Sequence, residues 1–171
     1  MPDTLALVIN TAPLIALVAA LGDLSILQMY ERVLVPREVC QEILVGGPDQ
    51  FAVAAFEAAH WLQKKPAPME TIAAVLLNTL DSGEAAVIQL ALNDKVQTVC
   101  IDEIAGRRMA RLHGLAVTGS IGVLLRARRV GYTLSMRDAL QRMRNRGIWL
   151  SDRVINFALA QADAHSEIQG A

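Results

Sequence analysis

Four side chains that can offer oxygen to a metal, Asn10, Glu42, Glu84 and Asp102, stand at or near points where an apolar run meets a helix. Hard divalent cations take such oxygens, usually one or two carboxylates together with water and substrate phosphate. A cation held this way can activate water and stabilise an in-line phosphoryl displacement. Each residue also has a structural alternative. Asn10 or its neighbour Thr11 could cap a helix. Glu42 could be a solvated helix residue, with Glu38 as its rival one turn earlier. Glu84 follows Asp81 by three positions in Asp81-Ser82-Gly83-Glu84, the spacing of a capping box. Asp102 is the hardest to explain by structure alone, because it closes an apolar strand.

The elements that must position these residues follow from hydrophobic pattern. Leu5 to Ile9 is a continuous apolar run ending at Asn10-Thr11-Ala12-Pro13, which predicts a strand buried on both faces and then a helix with proline in its first turn. Val33 to Pro36, Val96 to Ile101 and Leu115 to Thr118 read as further strands, with Trp61 to Gln63 as a short edge strand. Helices are predicted over Arg37 to Val45, Phe51 to His60, Glu70 to Leu80, Gly83 to Asn93, Ile104 to His113, Ser120 to Val130, Met136 to Arg146 and Asp152 to Ala164. Alternation of strands with helices predicts an α/β domain with a mostly parallel sheet covered on both faces. Residues 1–150 form the main domain, and 151–171 a helical extension packed on it. In such sheets the ligand site lies beyond the carboxyl ends of the strands, where Asn10 and Asp102 fall.

Composition excludes several classes. With 53% hydrophobic residues over 171 positions the chain can bury a real core, so it is not disordered as a whole. Aromatic residues make up only 4%, which argues against a base-stacking platform. The most apolar stretch, Leu5 to Leu21, is interrupted by Asn10, Thr11 and Pro13 and is too short to span a membrane. The start, Met1-Pro2-Asp3-Thr4, lacks the basic region of a signal peptide. A cytoplasmic protein is expected, with Cys40 and Cys100 as buried hydrophobes. The net charge of −1 conceals a division. Residues 1–102 carry 12 acids against 5 bases, whereas 103–153 carry 3 acids against 11 bases, all arginine. The expectation is an acidic pit at the sheet edge with an arginine rim. Arg107 and Arg108, on the helix after Asp102, could meet a phosphate bidentately. Ser120 could offer helix N-terminal amides to it, and Thr11 could touch metal-bound water. Capping is the simpler role for Ser120.

Taken together, Val8-Ile9-Asn10-Thr11-Ala12-Pro13, Val35-Pro36-Arg37-Glu38-Val39 with Glu42, Asp81-Ser82-Gly83-Glu84-Ala85, Ile101-Asp102-Glu103 with Arg107-Arg108, and Val117-Thr118-Gly119-Ser120 resemble a PIN-domain family. The resemblance runs from about Leu7 to Leu159. It implies a three-layer α/β/α sandwich and an acidic ribonuclease site dependent on Mg2+ or Mn2+. Asn10 takes the place of the first family aspartate, Glu42, Glu84 and Asp102 match the other three acids, and Glu103 could add one more. Many such proteins are toxins of type II toxin–antitoxin pairs, which implies RNA as substrate and an antitoxin as partner.

Three functions are compatible with these residues. The first is a metal-dependent endoribonuclease. The second is a PIN-like module, weakened by the Asn10 substitution, that binds RNA or a protein without cutting. The third, a phosphoacceptor receiver domain, ranks last because no acid cluster follows the first strand. Low-charge, alanine-rich helices between Phe51 and Leu92 offer surface for a partner or a homodimer.

Overall fold

The computed structural model describes residues 5–46, 50–66, 68 and 70–169. Five strands, β1 (Ala6–Ile9), β2 (Arg32–Val35), β3 (Gln63–Lys64), β4 (Thr98–Cys100) and β5 (Ala116–Thr118), form one sheet in the order β3-β2-β1-β4-β5. Every pairing is parallel. The helices are α1 (Thr11–Leu21), α2 (Arg37–Val45), α3 (Phe51–Ala58), α4 (Ala74–Leu77), α5 (Ser82–Asn93), α6 (Ile104–Leu112), α7 (Ser120–Arg129), α8 (Met136–Asn145) and α9 (Asp152–Gln169). A short 3-10 helix, Ser25–Met29, leads into β2. The parallel sheet with helices around it is the expected three-layer α/β/α sandwich.

Continuous apolar strands require burial on both faces, and Leu7, Val8, Ile9, Val33, Leu34, Val35, Val99 and Cys100 are all buried. α5 packs against β1 and β4, and α6 against β5, while α1 contacts α2, α3, α7 and α8. Pro13 is the third residue of α1, where its missing N–H would have had no intrahelical acceptor. Gly22 ends the helix with φ +88°, donating its N–H to the Val18 carbonyl.

Strand order reverses at β1: β2 and β3 lie to one side, β4 and β5 to the other. The crevice at such a reversal is where open parallel sheets place their ligands. Asn10 follows β1, Asp102 follows β4, and the Asn10 N–H donates to the Cys100 carbonyl over 3.0 Å, tying the two strand ends together.

The helix expected over Glu70 to Leu80 shrinks to the single turn of α4. Only Leu76 and Leu80 bury there, so the segment lacks an apolar face along its length. The Ala73 N–H is also taken by the Gln89 side chain at 3.0 Å. The edge strand falls on Gln63–Lys64 rather than Trp61 to Gln63. α9 packs on α7 and α8, burying Ala158 and Ala162, and Arg128 donates to the carbonyls of Leu134 and Ala162 at 2.8 and 3.1 Å. Among the described residues no helix is long and apolar enough to cross a membrane.

Candidate active site

Asn10 occupies the N-cap position of α1 with an extended backbone, yet its side chain makes no capping bond. It is buried, and its Oδ1 has no hydrogen-bond partner. Thr11, also buried, donates its hydroxyl to Glu42 Oε2 at 2.7 Å, so Glu42 on α2 is fixed across the crevice although its residue is exposed. Gly83 makes room for both. A Cβ there would lie 2.9 Å from Glu42 Oε2, 3.3 Å from Asn10 Oδ1 and 3.4 Å from Asp81 Oδ1. Three oxygens from three elements therefore surround one glycine at the start of α5.

Glu84 forms a capping box with Asp81: its N–H donates to Asp81 Oδ1 at 2.8 Å, and the Asp81 N–H in turn reaches the Glu84 carboxyl. The carboxyl also faces α6, where a Cβ on Gly106 would sit 2.5 Å from Glu84 Oε1. That oxygen is buried without a hydrogen-bond partner. Burial, then the charges of Asp81 and Glu103, push the Glu84 carboxyl up to about 6.

Asp102 is pressed against a third glycine. A Cβ on Gly119 would lie 2.6 Å from Asp102 Oδ1, and the Ser120 N–H donates to that oxygen at 2.8 Å. Burial raises the Asp102 carboxyl above its ordinary value, opposed by the Ser120 amide and hydroxyl and by Arg107. Glu103 is raised chiefly by its own burial, and Asp102, Asp81 and Glu42 add to the effect. These shared fields place five acids in one neighbourhood. Asp81 was legible only as a helix cap, because its second role depends on where Gly83 brings Glu42.

Among the described residues, no group of three His, Cys, Asp or Glu side chains is close enough to hold an ion. A closed carboxylate cage is therefore absent among them. The set does suit a cation that keeps its waters and borrows substrate phosphate, which needs only one or two carboxylates. The unpartnered Asn10 Oδ1 supports that fit, since an unsatisfied buried acceptor costs about 1–3 kcal/mol.

The expected arginine rim is only partly present. Arg107 is committed to the fold: one of its guanidinium nitrogens donates to the Ile101 carbonyl at 2.9 Å beside Asp102. Arg108 and Arg111 are exposed on α6. The others disperse. Arg126 lies over the Tyr30 ring, Arg128 anchors α9, Arg142 donates to the Ala20 carbonyl at 3.2 Å, and Arg146 lies over Phe51. The reason is helical geometry. α7 starts at the site and carries its arginines in its last turn, about 9–14 Å further on. Ser120 also departs from expectation: Gly119 holds the N-cap position, and the Ser120 amide serves Asp102.

One consequence is pH-dependent stability. Between about 4.5 and about 6 the folded chain keeps a proton on Glu84 that the unfolded chain has lost, so stability falls as pH rises through this window. Glu84→Gln removes the effect. With chelator present, the variant should melt on the order of 2–4 °C above the parent at pH 8, for ~1 kcal/mol, and match it at pH 4.5. An unchanged difference across that range in calorimetry would contradict the assignment.

A family model described as a PIN domain matches residues 6–164. No curated protein and no solved structure matches the chain. The family match spans nearly all of the sequence, including both strand ends and all the acids described above: the chain belongs to the PIN-domain family.

Proposed function

We propose that the chain is a divalent-metal-dependent endoribonuclease acting at the carboxyl edge of its sheet. PIN domains are generally nucleases and typically use divalent metals. The observation that carries the reading is the orphaned Asn10 Oδ1 beside Glu42 Oε2 at the strand-order reversal. Asn10 and Glu42 would hold Mg2+ or Mn2+, with Glu84 and Asp102 completing the acidic surround. When bound, the metal supplies an activated water and offsets charge on the scissile phosphate. Thr11 orients Glu42 by its hydroxyl hydrogen bond. Glu84, with its carboxyl near 6, can hold or release a proton at Oε1 close to neutral pH. Asp102 keeps the start of α7 in place through Ser120. Arg108, exposed one residue beyond the committed Arg107, meets the RNA backbone.

As the toxin of a type II pair, such a nuclease would act in the cytoplasm and be neutralised by an antitoxin. Val75, Leu77 and Leu92, exposed in the region between Phe51 and Leu92, support partner or homodimer contacts there. Incubating purified protein with RNA should give cleavage in Mg2+ or Mn2+ and none in EDTA. Equal cleavage in EDTA would overturn the metal requirement.

A second reading, an RNA- or protein-binding module that does not cut, is favoured by the amide at position 10 and by the lack of three close metal-binding residues among those described. Asn10→Asp separates the two. Restoring the charge should tighten Mn2+ binding by at least about tenfold in calorimetric titration and raise cleavage with it. Without metal the added buried charge should lower Tm. Tighter Mn2+ binding with no cleavage would favour the binding module.

A further inference from the structure

Toward the opposite edge of the sheet, about 13 Å along β1 from Asn10, lies a cavity of about 500 Å³ lined by the first residues of β1, β2, β4 and β5 and reaching along β5 to Thr118 and Gly122. Four cations line it from three separate parts of the chain: Arg32 at the start of β2, Lys95 in the turn before β4, and Arg126 and Arg129 in the last turn of α7. Its one acid, Asp94, is already engaged by Lys65 at 3.2 Å. The arginines on α7 could be explained by the negative end of their helix. That does not account for Arg32 and Lys95, which belong to other elements and line the same cavity.

One detail points to a ligand. The Arg126 guanidinium rests 5.5 Å from the Tyr30 ring centroid, and its Nε is buried without a hydrogen-bond partner. Lys95 closes the end of α5 in a left-handed backbone, φ +54°, with the Val96 N–H returning to the Ala91 carbonyl at 2.9 Å, a conformation in which glycine would be unstrained. The cavity is of the size that small-molecule sites have, and its apolar wall, from Leu5, Ala6, Val96 and Ala116, can receive an uncharged ring.

We propose that this cavity is a second ligand site, separate from the acidic one, that takes a phosphate-bearing ligand of mononucleotide size. The cations receive the phosphate and the apolar wall receives the rest. The proposal does not rest on the nuclease reading.

Calorimetric titration of the whole chain with 5′-AMP, adenosine and inorganic phosphate tests it. 5′-AMP should bind, more weakly at high salt, and inorganic phosphate should compete with it, while adenosine should not bind. Lys95→Gly relieves the left-handed backbone, so the variant should melt no lower than the parent while binding 5′-AMP at least tenfold more weakly. Arg129→Ala should weaken binding similarly. Asp102→Asn, at the other edge, should leave it unchanged. The proposal is overturned if 5′-AMP fails to bind, if adenosine binds as tightly, if neither cation variant weakens binding, or if Asp102→Asn abolishes it.

Discussion

Asp102→Asn should lower RNA cleavage at least about 100-fold in kcat/KM, on the order of 3 kcal/mol of barrier, while Tm stays close to the parent's. The asparagine Oδ1 keeps the acceptor that the Ser120 N–H reaches at 2.8 Å, so the start of α7 is held as before. What disappears is one negative charge at the end of β4, beside Arg107 and within the field of Glu103. A hydrolysis that depends on a cation in this pit needs that charge. The measurement is steady-state cleavage of a labelled RNA in Mg2+, with melting as the control on folding. Cleavage at the parental rate would remove Asp102 from the site.

The largest stability effect is expected at a glycine rather than an acid. Gly106→Ala should lower stability by about 1–3 kcal/mol, or ~2–12 °C in Tm. Intrinsic helix propensity points the other way, since alanine is favoured over glycine inside a helix by about 1 kcal/mol. Space decides the sign. The new methyl would lie 2.5 Å from Glu84 Oε1 and 2.8 Å from Ile101 Cγ2, and both residues are buried. Shortening the opposing side chain should relieve part of this, so Glu84→Ala combined with Gly106→Ala should be more stable than the sum of the single changes implies. Additive effects in that double-mutant cycle would show that the methyl group and the carboxyl do not compete for the same volume.

The framework of this site was legible because buried parallel strands write themselves as continuous apolar runs. Val8-Ile9 ending at Asn10, and Val99-Cys100-Ile101 ending at Asp102, put two oxygen-bearing residues at the carboxyl edge. The bond from Thr11 to Glu42 was not legible, because it joins residues 31 positions apart on different elements. Nor were the steric roles of Gly83, Gly106 and Gly119. Their backbones need no left-handed angle, and their meaning lies only in which acid occupies the missing side chain's place. The arginine-rich segment supplies only part of a rim, through Arg107 beside Asp102 and the exposed Arg108. Linear density carries no direction, and α7 leads its arginines away from the acids toward the other edge of the sheet.

The reversal of strand order at β1 also bears on when the site comes into being. β1 and β4 are neighbours in space, with Leu7 opposite Thr98, yet 91 positions separate those two residues along the chain (98 less 7). Closing a loop that long precedes any contact that rewards it. During synthesis, a chain that has not yet reached Ser120 already holds Asn10, Glu42 and Glu84, but Asp102 still lacks the amide that fixes it. The complete site is thus assembled late in translation, and a truncated product carries the acids without the amide that fixes Asp102.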